Sequence, residues 1–500
     1  MDVPVIIVGG GPVGLSLALG LAHHRVRSIV LERKLEPAPE SRALVLWART
    51  QEIFRDWGAY DALRAAGDFV TEFSAVNALS KRQLVALDFR VLEDVLADPG
   101  VIVLPQYRTE RILRDLVLAD PHCEFRAGID VRGIEQHADC VDVHVQDGAM
   151  ERTMRASYVV GCDGAHGIVR HAIGMSLEGV TYDSRVLLSD ELLERQAGES
   201  PAARIRFDKP GIRAAVRFGP KLWRVMASIG KDETDADALS PEAHRERLRS
   251  IFGEGTEATT LWSSIFNIHR RHAQRFLIGR VALAGDAAHV NSPAGGQGMN
   301  SGIQDAANLA WKLACALQDG ANGAALLETY DIERREMVTD TIERFTDRLT
   351  RVGIGFLPRA KQFAIRAASR AVRGRGMQRK LARGLSMLNG RYTRSPIVET
   401  THPLGGRRID DLILADGMRV NQRRGGDAAL VVAGEFSLDL PHIAVPLPPK
   451  RWHLRPPAVL IVRPDGCVAY VIEKPTRERI EAAWQRAFCG TIPLVEKMAT

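Results

Sequence analysis

Three glycines near the N-terminus have the spacing of a turn that binds a pyrophosphate. Gly9, Gly11 and Gly14, with Val13 between the last two, directly follow a short apolar run at residues 3–8. Glycine at these positions permits a tight turn, a close approach of phosphate to the backbone, and close packing of the next helix on the strand. The free N–H groups at the start of that helix present partial positive charge to the phosphates.

A carboxylate follows this motif at the distance expected for a ribose contact. Residues 28–32 read as a second strand that ends in Glu32 and is followed by Arg33. An acid about 20 residues after the glycines can accept hydrogen bonds from ribose hydroxyl groups. Strand, helix, strand and terminal acid together predict a βαβ unit that binds a dinucleotide.

Two later segments repeat the order of strand, tight polar turn and helix. The first contains Asp163, in the stretch 161–164, and then Arg170. The second ends in Asp286 and passes through a glycine-rich segment into a helix predicted over residues 301–317. A carboxylate at a strand end can accept hydrogen bonds from a ribityl chain, and a helix N-terminus can stabilise negative charge on a flavin ring. The candidate contacts at this helix start are Gly296, Gly298, Met299 and Asn300.

These three motifs, in this order, resemble those of the class A FAD-dependent monooxygenases, which have the para-hydroxybenzoate hydroxylase fold. The resemblance covers roughly residues 3–395 and implies FAD as cofactor, NADPH or NADH as co-substrate, and O2. It adds Arg42 and Gln106 as cofactor contacts, and it places the backbone at Pro293 and Gly296 beside the reacting flavin. The sequence contains no second GxGxxG in a βαβ context, which suits a family without a separate NAD(P)H domain.

The resemblance implies hydroxylation of an aromatic substrate, phenolic or polycyclic and polyketide-like, through a flavin C4a-hydroperoxide. The protein then excludes water and positions the substrate, and a base that deprotonates a phenol would assist. His289 and His269 are candidate bases, although the sequence does not separate them from structural histidines.

Other functions on these motifs stay open. One is a flavin reductase, or a flavin oxygenase of another outcome, Baeyer–Villiger or drug-inactivating. A second is a non-catalytic flavin-binding module. A third is a NAD dehydrogenase, which would be colourless.

The elements that must position these residues predict an α/β fold in three parts. A Rossmann-like FAD-binding domain of the GR2 type spans residues 1–174 and 271–395. An antiparallel substrate-binding sheet is inserted at residues 175–270. A short, truncated thioredoxin-like domain follows at residues 396–500, and similar domains occur in the phenol and polyketide hydroxylase branch of the family.

Residues 175–270 lack a nucleotide motif and contain alternating stretches at 203–207, 213–218 and 222–229, typical of antiparallel strands. In the family this sheet roofs the substrate cavity. For each candidate, packing in a core is the alternative interpretation. The candidate lining residues are Arg213, Phe218, Trp223, Met226, Trp262, Phe266 and His269.

The C-terminal segment predicts a β-hairpin, residues 458–462 and 467–472 around a Pro-Asp-Gly turn, followed by a helix at 476–488. It contains no CxxC pair, so a redox role is not expected. Its expected use is packing or a homodimer contact.

Bulk composition restricts partners and location. The net charge of +6 over 500 residues is small, which argues against nucleic acid as a partner. The six cysteines show neither a disulfide framework nor a zinc spacing, so no metal and a cytoplasmic location are expected. No apolar run reaches the roughly 18 residues of a membrane span. Residues 359–394 hold eleven Lys and Arg and no acid. A solvated helical face is the main interpretation of that stretch, and a membrane-surface or anion-attracting face is the alternative.

Overall fold

The computed structural model describes residues 2–36, 43–81, 83–194, 203–207, 211–291, 295–343 and 374–492. Within these ranges the strands form four sheets, and strands and helices are numbered here along the chain. Arg42, Pro293 and residues 359–373 of the basic stretch lie outside the described residues.

The first sheet carries the glycine motif at the end of its central strand. β1 (Val3–Val8) is parallel to both neighbours, β2 (Ser28–Glu32) and β11 (Met150–Gly161). It is apolar along its whole length because both of its faces are covered. The sheet order is β17-β18-β11-β1-β2-β8, with β9 and β10 attached to β11. The remaining strands are β8 (Cys123–Ala127), β9 (Ile129–Gln136), β10 (Val141–Asp147), β17 (Leu277–Ile278) and β18 (Val281–Leu283). The α/β class and both strands of the βαβ unit are confirmed.

Helices cover this sheet and lead away from each motif. α1 begins at Pro12, and α8 begins at Gly298, about one turn before the start at residue 301 that the sequence predicts, because proline and glycine are both tolerated in a first helical turn. α9 continues into a π-helical segment at Met337–Glu343. The helices are α1 (Pro12–His23), α2 (Ala48–Asp56), α3 (Tyr60–Ala66), α4 (Gln106–Ala119), α5 (Ile168–Ala172), α6 (Asp235–Ala238), α7 (Pro241–Phe252), α8 (Gly298–Gln318), α9 (Gly320–Glu336), α10 (Arg375–Leu385), α11 (Val420–Arg424) and α12 (Arg477–Phe488).

The second sheet is almost entirely antiparallel and has the order β19-β16-β12-β15-β14-β13-β5-β6. The three strands predicted within residues 203–229 are confirmed with small shifts at their ends. β5 and β6 come from residues 72–88, so this sheet includes chain from outside the predicted insert. The division into domains stays a prediction. The strands are β5 (Glu72–Asn77), β6 (Gln83–Asp88), β12 (Leu177–Leu193), β13 (Ala203–Phe207), β14 (Ile212–Arg217), β15 (Leu222–Ser228), β16 (Ala258–Ala273) and β19 (His289–Val290).

The C-terminal region forms a third, four-stranded sheet of order β21-β20-β22-β23. The predicted hairpin is confirmed as β22 (Ala458–Val462) paired with β23 (Val468–Glu473), and α12 follows. β20 (Ala429–Ala433) and β21 (Ile443–Val445) complete the sheet. The thioredoxin-like description stays a prediction. A small sheet near the first one consists of β3 (Val45–Leu46), β7 (Val101–Val103) and β4 (Asp68–Val70).

A buried ionic network joins the C-terminal sheet to α8 and α9. Glu333 of α9 accepts hydrogen bonds from Lys312 of α8 at 2.8 Å and from Arg463 of the hairpin turn at 2.6 and 2.9 Å. Arg463 also pairs with Asp465 in the same turn. These side chains have no more than 3% exposure, so the hairpin turn is inserted into the interior.

Part of the basic stretch lies on α10 and the segment after it. Arg379 pairs with Asp94 at 2.6 Å, and Arg394 pairs with Asp340 at 2.9 Å. These two contacts agree with the interpretation that the basic stretch is a solvated surface whose cations pair with acids from other parts of the chain. Among the helices of the described residues, none has the combination of length and apolar composition that crossing a membrane requires.

Candidate active site

The first glycine motif forms the turn between β1 and α1. Gly9 has a φ of +110°, and a Cβ there would lie 2.4 Å from the carbonyl oxygen of Cys162. A Cβ at Gly14 would lie 2.0 Å from the carbonyl oxygen of Gly9. A Cβ at Gly11, in contrast, would have no atom within 4 Å from any described residue other than its own chain neighbours. Gly9 and Gly14 therefore allow packing, while Gly11 borders open space.

Glu32 lies at the carboxyl end of β2, directly beside this turn. Its Oε2 accepts a hydrogen bond from the N–H of Gly10 at 2.7 Å, and its Oε1 accepts one from the N–H of Lys34 at 2.8 Å. Arg33 is exposed next to it. The carboxylate therefore lies at the carboxyl ends of the parallel strands β1 and β2, as the βαβ prediction requires.

Asp163 occupies the turn after β11. Its Oδ2 accepts a hydrogen bond from the N–H of Val169 at 3.0 Å. Its Oδ1 is buried without a hydrogen-bond partner among the described residues. Burial raises the pKa of this carboxyl, against the opposing effect of the backbone donors. A buried acceptor without a partner is costly, so this atom suits a ligand donor.

Arg170 ties two of the motifs together. Its guanidinium donates to the carbonyl of Ala287 at 3.0 Å and to the carbonyl of Ala165 at 2.6 Å, and the residue is 2% exposed. The Asp163 turn and the Asp286 turn are therefore joined through one buried cation. In this position Arg170 orients the two turns.

Val13 packs into a slot lined by glycines of the other motifs. A Cβ at Gly285 would lie 2.8 Å from Cγ2 of Val13, and a Cβ at Gly302 would lie 2.5 Å from the same atom. Asp286 is exposed beside this contact, at the end of the turn that follows β18. The three motifs, distant in sequence, therefore converge on the start of α1.

Asp305 of α8 holds the Gly285–Asp286 turn. It accepts hydrogen bonds from the N–H of Gly285 at 3.0 Å, from Nε2 of His289 at 2.7 Å and from Nε of Arg334 at 2.7 Å. Burial alone would raise the pKa of this carboxyl, but His289 and Arg334 outweigh burial and hold the pKa below its ordinary value. Nothing in the spacing of the sequence marked Asp305.

His289 is placed for a structural role. It is 1% exposed, its Nε2 contacts Asp305, and its ring stacks on Phe276 with centroids 5.7 Å apart. Its Nδ1 lies 3.3 Å from the side-chain amide of Asn291. With both ring nitrogens engaged, the structure favours packing over the role of a base.

The loop before α8 is fastened to β3 by the side chain of Asn300. Its Oδ1 accepts from the N–H of Trp47 at 2.9 Å, and its Nδ2 donates to the carbonyls of Val45 and Gly296, both at 2.9 Å. Nε1 of Trp47 donates to the carbonyl of Gly295 at 3.0 Å. Asn300 thus acts through the loop backbone. Sequence reasoning missed Trp47, since only the fold brings it to this loop.

The start of α8 is otherwise open. A Cβ at Gly298 would have no neighbour within 4 Å among the described residues, and Met299 beside it is half-buried. Within the described part of the chain, Gln297 at the helix start makes no capping hydrogen bond, so the first N–H groups of α8 can donate to a ligand.

Gln106, at the start of α4, holds the strand that follows Arg42. Its Oε1 accepts from the N–H of Ala43 at 3.0 Å, and its Nε2 donates to Glu110 at 2.8 Å. Its backbone N–H donates to the carbonyl of Ala43 at 3.1 Å. Gln106 therefore fixes Ala43, two residues before β3.

These features fit FAD. Open space borders Gly11 at the start of α1 and Gly298 at the start of α8, where helix N-termini attract anionic groups. Asp163 has an unpaired buried oxygen, and Asp286 is exposed at a strand end. One elongated ligand with a pyrophosphate, a ribityl chain and an anionic ring suits this order of sites.

The second sheet has two different faces, and they divide the predicted substrate residues. Trp223 is fully buried under α7 and meets Phe252 at 5.0 Å between ring centroids. Arg213 shares that face and pairs with Glu246 of α7 at 2.8 Å. Because alternate residues of a strand point to opposite faces, these two side chains lie on the helix-covered face. For Trp223 and Arg213 the core interpretation therefore replaces the cavity interpretation.

The opposite face is aromatic and carries a buried ion pair. Strand register places Met226, Phe266 and Trp262 on it, and Phe218 packs toward the cluster that contains Trp47. Asp190 accepts two hydrogen bonds from Arg224, at 2.8 and 2.9 Å, and one from Nε1 of Trp262 at 2.8 Å.

Arg224 and Asp190 form an enclosed anchor on this face. Their side chains are 7% and 5% exposed, and the guanidinium lies 5.5 Å from the ring centre of Trp262 and 5.9 Å from that of Phe218. Sequence reasoning selected Phe218 and Trp262 but missed the ion pair. The one available signal was an acid and a cation within strands that otherwise alternate with apolar residues.

His269 lies farther along β16. Its Nδ1 is 3.1 Å from Oγ1 of Thr181, and burial lowers its pKa, with Arg271 and His166 adding to that effect. His166 belongs to the segment after Asp163, so His269 stands between the sheet and that turn. A lowered pKa favours the neutral form of an imidazole, in which one ring nitrogen can accept a proton.

Comparisons with known proteins agree with this geometry. Residues 2–345 match the family described as FAD binding domain. A rifampicin monooxygenase from Streptomyces venezuelae is 33% identical over 482 residues, which cover 94% of this chain and 95% of that protein. A 12-dehydrotetracycline 5-monooxygenase/anhydrotetracycline 6-monooxygenase from Streptomyces rimosus is 32% identical over 84% of this chain and 82% of that protein. The solved structure of an anhydrotetracycline hydroxylase from Streptomyces rimosus superimposes with a TM-score of 0.80 at 28% identity, over 98% of this chain and 99% of that one.

Proposed function

Because this chain belongs to the FAD binding domain family and is an FAD-dependent monooxygenase of that family, we propose that it hydroxylates a polycyclic aromatic compound. The observation that carries the proposal is the face of the second sheet that presents Phe218, Trp262 and Phe266 around the Asp190–Arg224 pair. Flat aromatic surface binds fused rings, and an enclosed cation with an acid can orient the polar groups on them.

The cofactor contacts are proposed from the convergence of the three motifs. The N–H groups at the start of α1 bind the pyrophosphate, and Glu32 with Arg33 binds the adenosine side. Asp286 and the start of α8 bind the ribityl chain and the ring edge. When bound and reduced by NADPH or NADH, FAD supplies the activation of oxygen. The proposed FAD site consists of residues that contact the cofactor and residues that position those contacts: Gly9, Gly11, Val13, Gly14, Glu32, Arg33, Arg42, Gln106, Asp163, Arg170, Asp286, Gly296, Gly298, Met299 and Asn300.

The chain itself contributes position and water exclusion. Asn300 and Trp47 hold the loop at Gly295 and Gly296, which we propose as the backbone beside the reacting position, together with Pro293. Met226 and Phe266 line the opposite side. His269 is the proposed acceptor for a phenolic proton, because it lies near the segment after Asp163 and its lowered pKa favours the neutral imidazole, which has a ring nitrogen able to accept a proton.

The test begins with the purified protein and its visible flavin spectrum. NADPH and NADH oxidation is then measured with anhydrotetracycline, rifampicin and simple phenols, and the products are analysed by mass after incubation with isotopically labelled dioxygen. We expect a polycyclic phenol to accelerate NAD(P)H oxidation and to gain one labelled oxygen atom on a ring carbon.

Several results would oppose the proposal, and each points to a different alternative. A two-electron product without labelled oxygen would indicate a reductase. Labelled oxygen inserted between two carbons would indicate a Baeyer–Villiger outcome. A yellow protein that oxidises no NAD(P)H with any compound would indicate a binding module.

A second candidate function is oxidative inactivation of an antibiotic. It is favoured by the similarity to rifampicin monooxygenase, which extends over 94% of this chain. Cells that express this protein would then survive higher rifampicin concentrations than cells that express a Gly14→Asp variant. Equal survival of both strains would leave hydroxylation of a polycyclic aromatic compound, without antibiotic inactivation, as the better proposal.

A further inference from the structure

Two imidazoles and a carboxylate meet where α1 ends. His23 is the last residue of α1, His24 follows it, and Asp427 lies in the loop between α11 and β20. One donor atom from each residue lies within 4.8 Å of the other two. The two imidazole centroids are 4.9 Å apart, with ring planes at 78°. Among the described residues, this is the group of three or more such side chains close enough to share a metal ion.

The loop that carries Asp427 is built to approach this helix end closely. Gly426 has a φ of +84°, and a Cβ there would lie 2.7 Å from Nε2 of His23 and 3.1 Å from Cβ of Asp56. Only glycine combines this backbone conformation with so close a contact.

Buried contacts of Arg424 also hold this loop in place. Arg424, at 5% exposure, pairs with Asp56 of α2 at 2.5 Å and donates to the carbonyl of Pro464 at 2.7 Å. It also donates to the carbonyl of Asp427 at 3.1 Å. The position of Asp427 beside the histidines is therefore set by the fold.

We propose that His23, His24 and Asp427 bind a divalent transition-metal ion, Zn²⁺ in the first instance, that clamps the C-terminal sheet to α1. Two imidazole nitrogens and a carboxylate oxygen form a donor set that Zn²⁺ accepts, with water in the fourth position. Bonds of about 2.0–2.2 Å bring tetrahedral ligand atoms to roughly 3.4 Å apart. The donor atoms now lie within 4.8 Å of one another, and the two rings are half-buried and the carboxylate exposed, so side-chain rotation is the movement that metal binding would require.

Spacing along the sequence could not indicate this site. The ligands come from two segments about 400 residues apart, so no local zinc motif exists. The ion would act on the fold at the far end of α1 from the phosphate-binding turn, which makes this proposal independent of the substrate.

The test uses the untagged, FAD-loaded full-length chain after treatment with a chelator and dialysis. Calorimetric titration with Zn²⁺ is expected to show one equivalent bound, and thermal unfolding to shift upward with Zn²⁺. Asp427→Asn and His24→Ala are expected to weaken Zn²⁺ binding at least about tenfold, since loss of even an outer-shell partner costs a metal site that much. His144→Ala, which removes an exposed histidine on β10, should bind Zn²⁺ as the unmodified protein does.

Cobalt provides a second readout. Co²⁺ should give ligand-field absorption beyond the flavin band, which Asp427→Asn weakens and His144→Ala leaves intact. Asp427 is exposed, so its isosteric change keeps the fold even if a change at His23 does not. Absence of Zn²⁺ binding by the unmodified protein, or equal affinity in Asp427→Asn and His24→Ala, would overturn the proposal.

Discussion

At the scale of single residues, the glycines of the first motif serve two different purposes. Gly14 has no room for a methyl group, because the carbonyl oxygen of Gly9 would lie 2.0 Å from it. Gly11 has room, and its φ of −75° suits alanine. A methyl group at Gly11 would occupy only the space proposed for the pyrophosphate.

Gly11→Ala is therefore expected to weaken FAD binding without weakening the apoprotein. We expect the dissociation constant for FAD to rise at least about tenfold, equivalent to about 1.4 kcal/mol, while the melting temperature of the apoprotein stays unchanged. Flavin fluorescence during titration of the apoprotein measures the first, and calorimetry the second. Gly133→Ala is the matched control, because a Cβ there meets its nearest neighbour at 3.8 Å. An unchanged FAD affinity in Gly11→Ala would place the pyrophosphate elsewhere.

The Asp190–Arg224 pair permits a test of the substrate face. Trp262→Phe keeps an aromatic ring but removes the N–H that Asp190 accepts at 2.8 Å. Asp190 loses one of the three hydrogen bonds described above, so we expect KM for a polycyclic substrate to rise severalfold while FAD affinity stays constant. Leu261→Ala, at an exposed neighbouring residue, should change neither quantity. A KM that responds equally to both changes would argue that Trp262 merely stabilises the sheet.

The residues that the sequence predicted and those that it missed differ in how local their contacts are. Gly9, Gly14 and Asp163 act within a few residues of a strand end, where turn geometry makes their types recognisable. Asp190 pairs with Arg224 of another strand, 34 residues later in the sequence, and the spacing of residue types along the chain does not predict that contact. Trp223 was misplaced for a related reason, because alternation shows that a strand has two faces but not which face is covered by a helix.

At the scale of elements, the motif helices were predictable and their partners were not. β1, β2 and α1 follow from apolar patterning and glycine placement. β5 and β6 joined the second sheet because β5 pairs with β13, more than a hundred residues later, and no periodicity reports such a pairing. Likewise, Lys312 falls within the helix predicted over residues 301–317, but helical spacing does not indicate that its side chain is buried against Glu333 of α9.

Lys312 predicts a specific pH dependence of stability. Burial lowers its pKa from 10.5 to about 8, against the opposing attraction of Glu333. At a pH between about 8 and 10.5, Lys312 is protonated in the unfolded chain and largely deprotonated in the folded chain. The contribution of Lys312 to the free energy of unfolding therefore increases as pH rises through this range.

Lys312→Met removes the titrating group, so the difference in unfolding free energy between the unmodified protein and this variant is expected to depend on pH. The unfolding free energy of the unmodified protein, minus that of Lys312→Met, should increase by about 2 kcal/mol from pH 7 to pH 10. Denaturant titrations at several pH values measure this difference. Lys380→Met, at an exposed lysine of α10, should show a difference that is constant with pH. A constant difference for Lys312→Met would mean that this lysine keeps its ordinary pKa.

At the scale of the whole molecule, the C-terminal sheet is part of the same core as the helices that carry the cofactor site. Trp311 of α8 and Leu326 of α9 share one buried cluster with residues of β20, β22 and α12. Trp311 meets Phe488 with ring centroids 6.0 Å apart. α8 itself begins at the proposed flavin contacts. A change in packing around Trp311 would therefore shift the helix whose first turn forms part of the proposed FAD site.

The full-length chain is therefore expected to unfold in one cooperative transition that coincides with flavin release. A chain that ends at residue 395 would uncover Trp311 and leave Lys312 and Glu333 without Arg463, and we expect it to be insoluble or unable to retain FAD. Arg463→Met is the milder test. Removing one partner of a buried pair costs about 3–5 kcal/mol, so it should lower the melting temperature while the hairpin itself remains. Scanning calorimetry with flavin fluorescence follows both events together. Two separate transitions, or a soluble shortened chain that binds FAD with full affinity, would show that the C-terminal sheet is an independent attachment.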